Sequence, residues 1–196
     1  MNDPLLPDKV YYNFPSLAFA EEYDPDDAFT LREFLEIEPL IRNRAVIVHD
    51  GDCIQADELT VRILQSYEED SPIIAHPAGN ENSLVFKIET GGKSVLFLGD
   101  TGPVGGDRLY ERHWQDLKSD LVQMAHHGHS GVGAEVYMAI EPEACLWNCP
   151  DWLWEEAPLN FGPRLWGTVM TRKWMEYLGV KTHYVTKDGT HSIILD

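Results

Sequence analysis

A group of histidines and one aspartate are the residues of this chain whose types and spacing best suit chemistry. The sequence His-His-Gly-His occupies positions 126–129, directly after the apolar run 121–125. Asp100 follows the apolar run 94–98 through a single glycine. Imidazole is the commonest metal ligand in proteins, and carboxylates share such sites with it. A Gly-Asp pair alone is ordinary turn chemistry, but the whole pattern favours a metal site over a polar loop with surface histidines.

Both groups of candidate ligands follow segments that are predicted to be core strands. The runs Ser94–Leu98 and Leu121–Ala125 are largely apolar and short enough to be buried strands. Strand ends on a rigid scaffold can hold a carboxylate and imidazoles close together while a cleft stays open above them. We therefore expect the side chains of Asp100, His126 and His127 to converge on one cation-binding point.

Length and charge limit the classes of protein to which the chain can belong. Its 196 residues fit a single domain spanning 1–196. The formal net charge of -18 repels phosphate backbones, so we expect no general nucleic-acid binding. No apolar run approaches the roughly 18 residues that a membrane span needs, so we expect no membrane association.

The first residues and the cysteines predict a cytoplasmic protein. Met1-Asn2-Asp3-Pro4 has neither the basic nor the apolar region of a signal peptide. Three cysteines are an odd number, which favours reduced thiols over a disulfide framework. Cys145 and Cys149 lack a second ligand pair, so we interpret them as buried or loop thiols rather than as a zinc site.

Hydrophobic periodicity predicts a mixed α/β domain with a sheet core and outer helices. Strands are predicted at 10–14, 45–48, 59–63, 84–88, 94–98, 121–125 and 144–147, with a terminal hairpin of 182–186 and 192–195. Helices are predicted at 30–35, 107–117, 136–140 and 171–178, and the acidic segment 21–27 is interpreted as a loop. The segment 149–167 is predicted to be a long aromatic loop. Its packing onto the sheet is favoured over a pocket wall built by Trp147, Trp152, Trp154 and Trp166.

Three motifs occur in one order with short spacing and together resemble the second half of the metallo-β-lactamase-fold superfamily. They are Asn80-x-Asn82-Ser83-Leu84-Val85, Leu96-Phe97-Leu98-Gly99-Asp100 and Ala125-His126-His127-Gly128. The branch that they resemble is similar to the catalytic domain of the competence protein ComEC. Gly51-Asp52 upstream and Thr186-x-Asp188-Gly189 downstream extend the resemblance over residues 45–195.

The resemblance implies an αββα sandwich and a metal-dependent hydrolase. Asp100 would be the carboxylate that bridges two metal ions, and His126 or His127 would be a terminal ligand. The other histidine of the pair would contact the substrate or donate a proton, a catalytic role that we assign to His127. Zinc is the expected metal, with manganese or iron as alternatives, because such cations lower the pKa of a bound water toward about 7.

Five residues near the ligands are predicted to support them without binding the metal. They are Asn82, Ser83, Gly99, Gly128 and His129. Asn82 and Ser83 are expected to satisfy backbone groups near the site, whereas His129 suits an exposed loop equally well. His191 is interpreted as structural, and His183 as an ordinary surface or interface residue.

The chain departs from the superfamily because it lacks the His-x-His-x-Asp-His motif that supplies the principal ligands. The fold is therefore predicted to be incomplete at its N-terminus. Full binuclear occupancy is not expected, because catalytic sites usually fix each metal with about three protein ligands. A lone half of the sandwich would also expose an apolar sheet face, so a second copy or a partner chain is expected to cover it.

Three functional hypotheses follow from these observations. The first is a metal-dependent hydrolase that acts through a metal-activated water on a small phosphoester or ester-type substrate, with the missing ligands supplied upstream or by a separate chain. The second is a non-catalytic binding or assembly module that keeps the scaffold. The third is a mononuclear metal-binding protein that uses Asp100, His126, His127 and His191.

Overall fold

Strands and helices alternate along the chain, and a large sheet carries the candidate site at one end of two neighbouring strands. This computed structural model describes residues 7–40, 42–155 and 167–195. The strands within these ranges are β1 (Val10–Tyr12), β2 (Ala45–Ile47), β3 (Cys53–Ala56), β4 (Leu59–Gln65), β5 (Val85–Thr90), β6 (Lys93–Phe97), β7 (Leu121–Gln123), β8 (Ala144–Trp147) and β9 (Thr182–Val185). The helices are α1 (Leu17–Tyr23), α2 (Pro25–Ile37), α3 (Ala78–Glu81), α4 (Pro103–His113), α5 (Ala134–Ile140), α6 (Asp151–Trp154) and α7 (Thr168–Tyr177).

The large sheet combines an antiparallel half with a parallel half. In the described residues its strand order is β3-β4-β5-β6-β7-β8-β9, antiparallel from β3 to β6 and parallel from β6 to β9. Gly91 and Gly92, with φ values of 57° and 80°, form the tight turn that the sequence predicts between β5 and β6. Because β6 and β7 are parallel neighbours, their carboxyl ends lie at the same edge of the sheet.

One face of the sheet packs against helices and forms the main core. Leu96 of β6, Val122 of β7 and Leu109 of α4 are fully buried there. The opposite face buries Val95, Leu121 and Ala144 beneath the partly buried Phe97, Leu146, Tyr184, Ile193 and Leu195. Successive strand residues point to opposite faces, so the continuous apolar runs of the sequence reflect a sheet that is covered on both sides in its centre.

The N-terminal residues form a smaller unit beside this sheet. β1 and β2 pair in parallel, with Val10 opposite Ala45. The side-chain amide of Asn13 donates hydrogen bonds to the carbonyl oxygens of Val48 at 2.8 Å and Tyr67 at 3.0 Å. These bonds connect the small parallel pair to the segment that follows β4.

The acidic segment 21–27 is not the loop that the sequence predicts. α1 begins after Ser16, whose hydroxyl accepts a hydrogen bond from the Phe19 N–H at 3.3 Å. α2 begins at Pro25, and Asp26 and Asp27 occupy its first turn, where negative charge is favourable. The prediction treated these charges as solvated loop residues, whereas they mark a helix start. The helix predicted from Thr30 is accordingly longer.

Two other elements differ from the prediction. α4 begins at Pro103 rather than near residue 107, because proline suits the first turn of a helix. Trp114 lies after α4 and is 53% exposed. The predicted terminal hairpin does not form in the described residues, because 192–195 pairs with no strand and instead packs Ile193 and Leu195 onto the sheet.

The tryptophan-rich segment is partly helical. α6 lies within it, and Trp147, just before it, is fully buried in the core. Trp152 is 44% exposed, and Trp166 lies outside the described residues. The favoured interpretation of packing therefore holds for Trp147.

The mixed α/β class predicted from periodicity is confirmed by this arrangement of strands and helices. The single domain over residues 1–196 and its N-terminal incompleteness stay predictions. None of the helices in the described ranges is long and apolar enough to cross a membrane.

Candidate functional site

The candidate ligands lie on two loops that leave neighbouring strands at the same edge of the sheet. Phe97 at the end of β6 pairs with Gln123 at the end of β7. The chain then reaches Asp100 on the first loop and His126 on the second. The backbone N–H of His126 donates to the Gly99 carbonyl oxygen at 3.0 Å, which ties the two loops together. The predicted convergence therefore has a direct cause in the parallel register of β6 and β7.

Two side chains fix the loop that carries Asp100. The side-chain amide oxygen Oε1 of Gln123 accepts hydrogen bonds from the backbone N–H groups of Leu98 at 3.1 Å and Gly99 at 2.8 Å. The Ser83 hydroxyl accepts one from the Asp100 N–H at 3.2 Å. Ser83 is among the residues predicted from the sequence, but Gln123 is not, because its only signal is a polar residue within an otherwise apolar strand.

The histidine loop has an unusual backbone. His126, His127 and Ser130 have φ values of 49°, 60° and 49°, a left-handed region that costs a non-glycine residue of the order of 1 kcal/mol. Gly128 has a φ of 89°, and a Cβ there would overlap the ring of the buried Trp147. Strained residues of this kind cluster at functional sites, because the surrounding structure must hold them in place.

His127 and Asp100 face each other. His127 Nε2 lies 3.5 Å from Asp100 Oδ2, and both side chains are partly exposed. His127 Nδ1 lies 2.9 Å from the Asn148 carbonyl oxygen, which can only accept, so Nδ1 carries a proton. In the neutral imidazole the Nε2 lone pair then points toward a carboxylate, an arrangement that a proton or a cation between the two would stabilise.

The rings of His126 and His129 lie against one another beside this pair, tilted by 37°. Their ring centroids are 4.3 Å apart, and His126 Nε2 lies 3.3 Å from the side-chain nitrogen of Asn80. The Asn80 amide nitrogen donates, so Nε2 of His126 accepts and its lone pair is engaged. Burial, and then the nearby His126 and His127, lower the pKa of His129 to about 4. His129 is therefore neutral at physiological pH.

The donors at this edge fit a divalent cation in type but fall short in number. Asp100 offers one oxygen and His127 one nitrogen, and these two atoms are 3.5 Å apart. His126 could bind a metal through Nε2 only if its hydrogen bond with Asn80 were broken. Among the described residues, no group of three or more His, Cys, Asp or Glu side chains is arranged to hold a metal ion. Asp100 and His127 of the predicted ligand set therefore lie together, and metal binding by the set with His126 stays a prediction.

The remaining residues of the prediction have other contacts. Asn82 is buried and hydrogen-bonds the backbone of Ile73 and Ala78, so it shapes the segment before β5 rather than contacting Asp100. His191 Nε2 donates to the Val185 carbonyl oxygen at 3.0 Å. His183 Nδ1 accepts from the Trp147 indole N–H at 3.0 Å, and burial lowers the pKa of His183, so it is more than a surface residue. Cys145 and Cys149 are free and buried, as interpreted from their spacing.

A cavity of about 600 Å³ opens beside Asp100, between the two N-terminal helices and the segment 79–83. Its walls include three phenylalanines, and its polar end includes Asp24, Asp27 and Asp100. Asp24 is buried and accepts a hydrogen bond from the Gly79 N–H at 2.8 Å. Burial raises the pKa of Asp27, and the nearby Asp24, Asp26 and Asp100 raise it further. Sequence analysis missed both Asp24 and Asp27, because it placed them in a solvated loop.

Comparison with known proteins places the chain near two curated relatives. No protein-family model matches it. It is 31% identical over 101 residues to ComE operon protein 3 of Bacillus subtilis, a match that covers 50% of this chain and 12% of that protein. It is 36% identical over 50 residues to the uncharacterized protein YcaI of Escherichia coli, covering 26% of this chain and 7% of that one. The chain thus spans a small fraction of the length of these relatives.

Solved structures with similar folds share less sequence. The metallo-β-lactamase fold protein YhfI of Bacillus subtilis matches with a TM-score of 0.42 and 12% identity, over 74% of this chain and 53% of that one. The diiron β-hydroxylase CmlA of Streptomyces venezuelae matches with a TM-score of 0.43 and 15% identity, over 72% and 33%. At TM-scores below 0.5 no residue role or activity is transferred from either. Both solved structures are therefore reported only as similar to part of this chain.

Proposed function

We propose that this chain forms part of a metal-dependent hydrolase, in which Asp100, His126 and His127 bind a divalent cation. The reaction is hydrolysis of a small phosphoester or ester-type substrate by a metal-activated water. The observation that carries the proposal is the 3.5 Å approach of His127 Nε2 to Asp100 Oδ2, with the opposite ring nitrogen on a backbone carbonyl. A metal-binding histidine commonly makes such a second hydrogen bond.

The residues around the pair have distinct roles in this proposal. The Asn148 carbonyl oxygen sets the tautomer of His127, and Ser83 and Gln123 hold the Asp100 loop. Asn80 holds the His126 ring through Nε2, the ring nitrogen that would bind a cation. A bound divalent cation would supply the electrophile and lower the pKa of water toward about 7, which is the chemistry that hydrolysis at neutral pH needs.

The proposal includes further ligands besides Asp100, His126 and His127, because these three residues are too few for a complete shell. Zinc is the metal that we propose first, with manganese and iron as alternatives, because imidazole suits zinc and iron and carboxylate suits manganese. A reduced, cytoplasmic setting is part of the same proposal, and the three free cysteines support it.

Metal content measured on purified protein tests this proposal directly. The protein is stripped with a chelator, reloaded separately with zinc, manganese or iron, and its metal quantified by mass spectrometry. Asp100→Asn and His127→Gln are each expected to lower metal content at least about threefold, since each removes one of few donors. His49→Gln, which changes an exposed histidine outside the site, is the matched control and is expected to leave metal content unchanged.

Hydrolysis is then measured on reloaded protein with p-nitrophenyl esters and p-nitrophenyl phosphates. The proposal predicts turnover that requires the metal and is lost in Asp100→Asn and His127→Gln. Metal content that is the same in wild type, Asp100→Asn and His127→Gln would refute the ligand assignment.

The second candidate function is a non-catalytic binding or assembly module. It is favoured by the lack of a complete ligand group among the described residues and by exposed apolar side chains near the N-terminus. These side chains are Tyr11, Phe29, Ile37, Val46 and Ile47. A second copy or a partner chain would cover them. Sedimentation that shows a stable monomer with bound metal and turnover would exclude this alternative.

A further inference from the structure

We propose that the cavity beside Asp100 binds the apolar group of an uncharged carboxylic ester or lactone, and that it disfavours phosphoesters and other anions. For the reaction, this inference rests on the proposed function. For binding, it rests on the cavity alone.

The walls of the cavity suit an aromatic or alkyl group. Phe14 and Phe34 meet edge to face with their centroids 4.9 Å apart, and Phe19 and Leu31 extend the same surface. The volume of about 600 Å³ lies within the range of small-molecule sites, which are mostly apolar with a few polar groups at one end. Burial of an apolar group here would therefore provide most of the binding free energy.

The polar end of the cavity carries negative charge only. Asp24, Asp27 and Asp100 line it, and the described lining residues include no lysine, arginine or histidine. The Asp24 carboxylate is held in place by the Gly79 N–H, and Asp27 packs over the same glycine. A negatively charged ligand would meet these carboxylates without a basic side chain to offset the repulsion.

This charge distribution selects among the substrates that a hydrolase of this kind could take. A cation bound at Asp100 would offset that carboxylate, but Asp24 and Asp27 would remain. A phosphomonoester carries up to two negative charges at neutral pH, whereas a carboxylic ester or lactone carries none. The Asp100 end of the cavity also lies next to His127, so the bond to be cleaved would lie at the site while the apolar group occupies the cavity.

Binding without turnover tests the inference. The probes are methyl 3-phenylpropanoate, the free acid 3-phenylpropanoate and phenethyl phosphate, which share one apolar group and differ in charge. Affinity is measured by ligand-observed NMR on metal-free protein with chelator present. The ester is expected to bind at least about tenfold more tightly than either anion, which corresponds to about 1.4 kcal/mol.

Two pairs of matched variants assign the effect to the cavity. Thr30→Trp fills the cavity from its wall and is expected to weaken ester binding about tenfold, whereas Phe29→Trp, on the same helix but outside the lining, is not. Asp27→Asn is expected to reduce the ratio of ester affinity to acid affinity at least about threefold, because it removes one charge that repels the acid. Asp26→Asn, the neighbour that does not line the cavity, is expected to change the ratio of ester affinity to acid affinity less than Asp27→Asn does.

The outcomes separate this inference from the proposed function. Equal binding of ester and acid, or equal effects of Thr30→Trp and Phe29→Trp, would overturn the cavity assignment even if the protein hydrolyses esters. Selective ester binding that responds to these variants would support the cavity assignment even if no metal binds at Asp100.

Discussion

The sheet region and the N-terminal region of this molecule differ in how completely they bury their apolar side chains. In the sheet region, Leu96, Leu98 and Val122 have no exposed surface. In the N-terminal region, Phe29 is 62% exposed and Ile37 is 57% exposed. The candidate site lies at the boundary, since Asp100 and the histidines belong to the first region and the phenylalanine walls of the cavity to the second.

This difference separates two tasks that a binding site must perform. The candidate ligands need a fixed geometry, and they follow strands whose packing and register leave little freedom. The cavity walls lie on α1, α2 and the segment after β1, which bury few side chains and can therefore open locally at low cost. We infer that the ligand geometry is set by the sheet region alone.

The largest expected effect is a core truncation in the sheet region. Leu96→Ala removes a fully buried side chain and is expected to lower the free energy of unfolding by about 2–5 kcal/mol. Leu35→Ala, at a position in α2 that is 39% exposed, is expected to cost about 0.5 kcal/mol or less. Urea denaturation of both variants gives the comparison, and equal costs would show that the two regions are packed alike.

The next effect concerns the histidine loop. Gly128→Ala adds a Cβ that overlaps the Trp147 ring, and it is expected to cost about 1–3 kcal/mol and to displace His127. Gly92→Ala is the control, because its φ is also positive but a Cβ there has nothing within 4 Å. The control therefore isolates the backbone penalty of about 1 kcal/mol. Should both variants lose the same stability, the close packing of the loop on Trp147 has no energetic role.

Much of the sheet region could be predicted from sequence because its signals are local. Each of its features can be recognised from a few neighbouring residues. These features are the apolar runs of β6 and β7, the glycine pair between β5 and β6, and the histidines after β7. The parallel pairing of β6 and β7 was not among the predictions, although a helix lies between them and a helical crossover usually joins parallel strands. Metal binding by these residues stays a prediction.

The N-terminal region and the contacts between loops could not be predicted in the same way. Asp24 and Asp27 look like solvated charge in sequence, and only the packing of α1 and α2 against Gly79 places them in a cavity wall. Asn80 and His126 are 46 residues apart, so their contact depends on tertiary structure. The prediction of a terminal hairpin was wrong because Ile193 and Leu195 pack their side chains against an apolar face of the sheet.

A smaller effect is expected in the pH dependence of stability. Glu81 is buried beside the first turn of α4, and burial raises its pKa although the Gly105 and Val104 N–H groups oppose this. When the pKa of Glu81 is higher in the folded than in the unfolded protein, the protonated side chain stabilises the fold. This contribution is fully present below the unfolded-state pKa and is lost as pH rises through the folded-state pKa. The Glu81→Gln variant has no ionisable side chain at this position, so its stability is not expected to fall in this way as pH rises.

Urea denaturation at about pH 4 and about pH 7 measures that difference, since these values lie on either side of the ordinary glutamate pKa. The stability of Glu81→Gln relative to wild type is expected to rise between the two, by less than the cost of Gly128→Ala. Glu135→Gln, an exposed glutamate in the first turn of α5, is expected to show no such change. A difference that is constant with pH would mean that Glu81 ionises alike in both states.

The smallest effect is expected from the ion pair that joins α1 to α2. Arg32 and Glu21 are 2.5 Å apart with side chains 54% and 47% exposed, so Glu21→Gln should cost no more than about 0.5 kcal/mol, and less in about 1 M salt. Loss of one negative charge from a chain of net charge -18 offsets part of even that cost. Glu141→Gln breaks the more exposed Lys118 pair in the sheet region and serves as the control. If both costs are small, apolar burial alone distinguishes the two regions, whereas a cost above about 1 kcal/mol for Glu21→Gln would show that charge holds the N-terminal helices in place.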